Sequence, residues 1–186
     1  NKTGDIFLNI KNLGYDMNAE EWLKREDKIA KQGRIERLQW LLEHTPENRN
    51  WLFHDAPISF ELFEQTRYCF VYGQYLATII LGISYIEHTL AALFFAYGRN
   101  DLERANFSAL IDEAFKEAWI DINEKDSLDW ARGVRNDVTH FRKPGQTNPL
   151  TNQVLMSRET SETIFENNAR QIMLIVFHIL NRTAVR

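Results

Sequence analysis

The stretch from Ser59 to Tyr97, SFELFEQTRYCFVYGQYLATIILGISYIEHTLAALFFAY, contains no proline and is apolar along most of its length. Every backbone N–H in it can enter an i to i−4 ladder, and the apolar positions are too dense for a solvated loop. The run predicts one very long helix, or two nearly collinear ones, opened by Ser59 as N-cap and closed at Gly98-Arg99-Asn100. Gly73 and Gly82 read as positions where neighbouring helices pack closely. Within the run, Tyr68 to Ile86 carries no formal charge over 19 residues, near the ~20 residues a bilayer span needs. Its polar content (Tyr72, Gln74, Tyr75, Thr78, Ser84), the Glu87-His88 pair that follows, and the absence of flanking Lys/Arg asymmetry favour the central helix of a bundle over a membrane span.

Outward from this stretch the chain continues as helices. Residues 19–44 read as a charge-rich helix with apolar positions at Trp22, Leu23, Ile29, Ile35, Leu38, Leu41 and Leu42, closed by Pro46. Residues 1–17 read as an irregular arm docking through Ile6, Phe7, Leu8 and Ile10. On the C-terminal side, Asn106 or Ser108 caps a short helix to about residue 120, and residues 124–141 form another, ended by Lys143-Pro144-Gly145. A loop of about a dozen residues then leads to a last helix over about 159–182, with its apolar stripe on Ile164, Phe165, Ile172, Leu174, Ile175, Phe177 and Leu180. No repeat and no convincing strand interrupts the series. The expected fold is all-α, an up-and-down helical bundle. Its expected organisation is an N-terminal arm and accessory helix over 1–58 and a bundle core over 59–186, in a single compact domain.

Composition narrows the function. The 186 residues carry a net charge of −4, with only 8 Gly and 4 Pro. An acidic chain is a poor general coat for nucleic acid, so any such contact is expected to be local. The lone cysteine, Cys69, cannot pair internally and no Cys/His cluster has zinc spacing, so neither disulfide nor metal cofactor is expected. The first residues, Asn1-Lys2-Thr3-Gly4-Asp5, lack signal-peptide character, and a cytoplasmic location is the expectation.

The chemistry concentrates in Arg132-Gly133-Val134-Arg135-Asn136-Asp137-Val138-Thr139-His140-Phe141-Arg142. An Arg grips phosphate through a planar fork, and a His moves a proton near neutral pH. Projected at about 100° per residue, Leu128, Ala131, Val134, Val138 and Phe141 share the core sector, with Trp130 at its border. Arg132, Arg135, Asn136, Thr139, His140 and Asp129 share the polar one. Asn136 and His140 stack one turn apart, Arg135 is expected to swing back toward the same groove, and Gly133 leaves backbone open to a close approach. His140 and Arg142 suit the negative end of the helix dipole. On spacing alone the same residues also describe a solvated helix face.

The pattern Arg135-Asn136-x-x-x-His140, on a helix with an apolar stripe, resembles the R-x4-6-H signature of the HEPN superfamily, and the order of helices from Ser59 to Arg182 is similar to that family's bundle. The resemblance implies a metal-independent endoribonuclease, commonly a homodimer, in which two motif helices face each other across an RNA-binding cleft. It implies catalytic roles for Arg135, His140 and Asn136, and substrate contacts from Arg132, Thr139, Arg142 and Lys143. Glu87 and Ser84 are auxiliary candidates by position on the earlier core helix. The residues themselves allow Glu87 and His88 simply to satisfy one another. A toxin or antiphage defence protein is implied, with an antitoxin or regulatory protein as partner. Arg142 stands where some HEPN toxins carry a modifiable Tyr, which counts against that mode of control. The alternative is a non-catalytic HEPN-like module that binds RNA, a nucleotide or a partner protein through the same groove.

Overall fold

The computed structural model describes residues 18–47, 50–140 and 149–183. Among these the structure is all-helical, with no β-strand: α1 Ala19–His44, α2 Ile58–Val71, α3 Tyr75–Ala96, α4 Phe107–Lys116, α5 Ile122–Thr139, α6 Pro149–Met156 and α7 Ser161–Arg182. The expected arm over 1–17 lies outside the described residues.

Short polar side chains start four of these helices by accepting from backbone N–H groups that the helix itself cannot satisfy. Asn18 accepts from Glu21, Asn106 from Ala109, Asp121 from Glu124 and Thr160 from Thr163. Asp121 and Glu124 complete a reciprocal capping box, which moves the start of α5 two residues ahead of its expected place. Ser59 is no cap. Helix α2 begins at Ile58 after Pro57, and the Ser59 hydroxyl donates to the His54 carbonyl instead.

The predicted long helix divides. Tyr72-Gly73-Gln74 breaks the run, Gly73 sits at φ +72°, and α2 and α3 lie side by side rather than end to end. A left-handed residue is strained for any side chain bearing a Cβ, so this glycine serves the turn and not a helix crossing. Gly98, at φ +79°, ends α3 as expected, with Gly98 and Arg99 donating to the Phe95 and Phe94 carbonyls at 2.9 Å each. The segment expected as a loop before the last helix contains α6, whose first turn is held by Asp137 accepting from the Leu150 N–H at 3.1 Å. An aspartate from a different helix supplies that cap, which local sequence does not reveal.

Helix α3 is the core. It packs against α2, α4, α5 and α7, and Ile79, Ile83, Ile86 and Phe94 have no exposed surface. Length and composition would let it cross a membrane, with a mean hydropathy of 1.7 over its best window, and 44% of that window is buried inside the protein. At Gly82 its backbone comes close to its neighbours. A Cβ there would lie 2.7 Å from Ile172 Cγ2 on α7 and 3.3 Å from both Thr66 Cγ2 on α2 and Val176 Cγ2 on α7. Most of the α1 apolar positions, by contrast, are exposed, and only Leu41 is buried.

Helix α1 is held by a polar chain. Arg37 donates from Nε to the Val71 carbonyl at 2.9 Å and from Nη1 to the Tyr75 hydroxyl at 3.2 Å. Tyr75 donates to Glu166 Oε2 at 2.6 Å, and Arg170 donates from Nε to Glu166 Oε1 at 3.0 Å while lying over the Trp40 ring. Burial alone would raise the Glu166 carboxyl, but the hydrogen bonds from Tyr75 and Arg170 outweigh it and hold the group below its ordinary range. Tyr75 is pushed up to about 12, chiefly by burial and then by its bond to Glu166.

Two outcomes follow. Gly82→Ala should lose about 1–3 kcal/mol in urea unfolding despite alanine's better helix propensity, because the new methyl overlaps α7; an unchanged midpoint would mean the crossing is slack. A carboxyl depressed in the folded state adds stability above its unfolded pKa and withdraws it as pH falls through the folded one. Stability should therefore decline from about pH 4.5 downward, and Glu166→Gln should flatten that decline, measured by urea titration across pH.

Candidate functional site

Helix α5 turns the apolar positions of its projection toward the core. Leu128, Ala131 and Val134 are buried, while Val138 and Trp130 are partly buried against the core. This apolar seam fixes the rotation of α5, and with it the direction of every polar residue on the helix.

Arg135 does not swing back over its own helix. Its Nη1 donates to Glu87 Oε2 on α3 at 2.7 Å, both side chains being a little over a quarter exposed. Nε and Nη2 find no acceptor among the described residues, so two donors of the planar fork remain for a further anion. Glu87 thus has its partner on α5 and not in His88, whose Nδ1 lies 3.5 Å from Asp55 Oδ2. The expected local Glu87–His88 pair does not form, because each side chain turns to a different element. Ser84 stands one turn from Glu87, but its hydroxyl donates to the Ile80 carbonyl at 2.9 Å and makes no bond to the described residues of the motif.

His140 is the C-cap of α5 and not part of its last turn. Its backbone is extended, at φ −122° and ψ 125°, and its N–H donates to the Asn136 carbonyl at 3.0 Å. The imidazole is exposed. Asn136 is partly buried one turn earlier, and Thr139 donates its hydroxyl to the Arg135 carbonyl at 2.9 Å. The structure therefore brings Arg135, Asn136, Thr139, His140 and Glu87 to one end of α5. Gly133, on the same stretch, has open space where a Cβ would project, which leaves the backbone approachable. Arg142, Lys143 and Phe141 lie outside the described residues.

Arg132 belongs to a different group. Its Nε and Nη2 donate to Asp129 Oδ1 at 3.2 and 3.0 Å, and Lys125 reaches Asp129 at 3.1 Å and Asp112 of α4 at 2.5 Å. Burial would raise Asp129, but the bonds from Lys125 and Arg132 hold it below the ordinary carboxylate range. The expected basic rim is thus partly neutralised at Arg132. Sequence reading had placed Asp129 on the same polar sector; the i, i+3 and i, i+4 spacings to Arg132 and Lys125 are the signal for that cluster.

Among the described residues no cluster of His, Cys, Asp and Glu has the makings of a metal site. The chemistry at the end of α5 is that of a guanidinium fork, a carboxamide and an exposed imidazole, suited to holding a phosphodiester and moving a proton beside it. No protein-family model, no curated protein and no solved structure matches the chain.

Proposed function

We propose that the chain is a metal-independent endoribonuclease of HEPN type, acting as a homodimer that pairs two α5 ends across one RNA strand. The observation that carries this reading is Arg135: Glu87 of the core helix fixes one arm of its guanidinium and leaves two donor nitrogens without an acceptor among the described residues, five residues before the exposed His140. Phosphodiester cleavage uses both a cation with donors to spare and a proton carrier, and α5 carries the two at its C-terminal end.

In this mechanism the RNA 2′-OH attacks its own 3′-phosphorus. The 2′-oxygen–phosphorus bond forms and the bond to the 5′-oxygen breaks, giving a 2′,3′-cyclic phosphate and a 5′-OH end. One His140 takes the 2′-OH proton, and the second, from the other subunit, delivers a proton to the leaving oxygen. Arg135 stabilises the charge gathering on the non-bridging oxygens through Nε and Nη2. Asn136 orients either the phosphate or His140, and Thr139 lies beside it. Glu87 is a positioning residue, acting through Arg135.

A second reading, a module that binds RNA or a partner without cleaving, draws on the pairing of Arg132 with Asp129, which removes one cation from the rim. It predicts saturable binding weakened by Arg135→Ala, with no product formed. A toxin or defence role, with an antitoxin or other regulatory protein as partner, follows from the family resemblance and depends on the nuclease activity being present.

The purified protein should cleave single-stranded RNA in excess EDTA to cyclic-phosphate ends, and His140→Ala or Arg135→Ala, with circular dichroism unchanged, should lower the rate by at least about 100-fold. Wild type and both variants behaving alike on diverse RNAs would end the enzymatic reading. Glu87→Gln should lower kcat by about tenfold with KM little changed, as expected when a charged hydrogen bond that aims a catalytic group is weakened. A change in KM alone would make Glu87 a binding determinant instead.

A further inference from the structure

On the flank of α5 away from Glu87, an open recess of about 570 Å³ lies between α5, α6 and α7. Trp130, five residues before Arg135 and so about 140° round the helix, lines it. Four carboxamides join it there: Gln153 of α6, and Asn167, Asn168 and Gln171 of α7.

Asn168 is the anchor of the recess. It is only 5% exposed, and both hydrogens of its amide are committed, Nδ2 donating to Gln153 Oε1 at 3.1 Å and to the Ile164 carbonyl at 2.7 Å. Its Oδ1 is left as a fixed acceptor that no donor among the described residues reaches. An acceptor held in place on the wall of an open recess bonds to whatever enters. Asn167 and Gln171 are exposed, and their carboxamides make no hydrogen bond to the described residues, so each is free to present a donor beside that acceptor.

We infer that this recess holds one nucleobase, seated against Trp130, with its amino group donating to Asn168 Oδ1 and its adjacent ring nitrogen accepting from Asn167 or Gln171. Charge decides against a phosphate as the anchored group. Among the described residues the only cation lining the recess, Arg170, is bound to Glu166, and Glu159 adds a carboxylate at the margin. An apolar ligand would leave Asn168 Oδ1 unpaired. Adenine and cytosine carry an amino donor next to a ring acceptor, which matches the fixed acceptor and movable donors; uracil presents a carbonyl where the amino group is needed. The base comes either from a free nucleotide or from an RNA strand, and the second source rests on the ribonuclease reading above.

The test is a titration of isotope-labelled protein followed by NMR, in which Trp130→Phe identifies the Trp130 indole among the five tryptophans. AMP and CMP should shift the Trp130 indole and the Asn168 side-chain amide, while UMP, ribose 5-phosphate and inorganic phosphate should not. The exposed substitutions Asn167→Ala and Gln171→Ala together should weaken AMP binding by about tenfold without changing the fold. Adenine octaribonucleotide binding to His140→Ala protein much more tightly than AMP, and uridine octaribonucleotide failing to do so, identifies a strand as the source; equal affinity for AMP and the adenine octamer identifies a free nucleotide. The inference is overturned if Trp130 and Asn168 do not respond to either base, respond equally to phosphate or ribose 5-phosphate, or bind AMP as well in the double variant. These readouts do not involve cleavage, so an inactive protein that still binds AMP would remove the nuclease reading and leave the recess assigned.

Discussion

The close passage of α3 over α7 at Gly82 is the constraint on which the bundle depends. At 2.7 Å from a hypothetical Cβ, the Ile172 methyl occupies the volume that any larger residue would need. Dispersion contacts fall steeply with separation, so a helix pair brought this near gains packing that a pair held apart by one methyl group forfeits. Thr66 and Val176 close on the same point, which makes one glycine the meeting place of α2, α3 and α7. The turn at Gly73 folds α2 back beside α3 and so lets Thr66 reach that crossing.

The same helix sets the candidate site. Ile83, Ile86 and Leu90 bury one side of α3, and Glu87, between them in sequence, emerges toward α5. Its carboxylate therefore has a position inherited from the core. On α5, the buried seam of Leu128, Ala131 and Val134 gives Arg135 an equally determined direction. The ion pair joins two side chains whose backbones are fixed independently, so holding it together requires little further ordering. His140 differs in this respect, because it stands at the helix end with extended backbone and an exposed ring. In the proposed ribonuclease these are complementary properties, a rigid fork to hold the phosphate and an accessible imidazole to transfer a proton.

What could be read from sequence was whatever one helix decides alone. Periodicity located α1, α5 and α7, residue type narrowed the α4 cap to Asn106 or Ser108, and the Gly98 stop followed from residue type. The split between α2 and α3 was missed because Gly73 in an apolar, proline-free run looks the same as Gly82, and only the fold gives one a turn and the other a crossing. Helix α6 was missed because its cap, Asp137, belongs to α5. In the site, Glu87 was visible as a candidate by position, but its partner lies 48 residues away and no local spacing encodes that pair. Asn168 gave no signal, since an amide on an apolar helix declares itself only when the recess beside it is known.

The acidic composition then acquires a physical meaning. A chain with net charge −4 that meets RNA must do so where cations are exposed, yet each paired cation loses reach. Two arrangements differ in what they leave over. Arg132 gives both Nε and Nη2 to Asp129, spending its fork on one carboxylate, whereas Arg135 gives only Nη1 to Glu87. A phosphate approaching Arg135 can use the remaining pair of donors without displacing the carboxylate, though it must bear the repulsion of Glu87 nearby. At a separation of 4 Å that repulsion is about 4 kcal/mol at the effective dielectric of a protein surface, comparable to the attraction of the guanidinium itself. A single Arg135–Glu87 pair is thus close to neutral toward an anion at long range and selective at short range, where donor geometry outweighs net charge. Two such pairs facing each other, with an imidazole at each helix end, would favour a phosphodiester that presents oxygens to both forks over any anion that presents them to one.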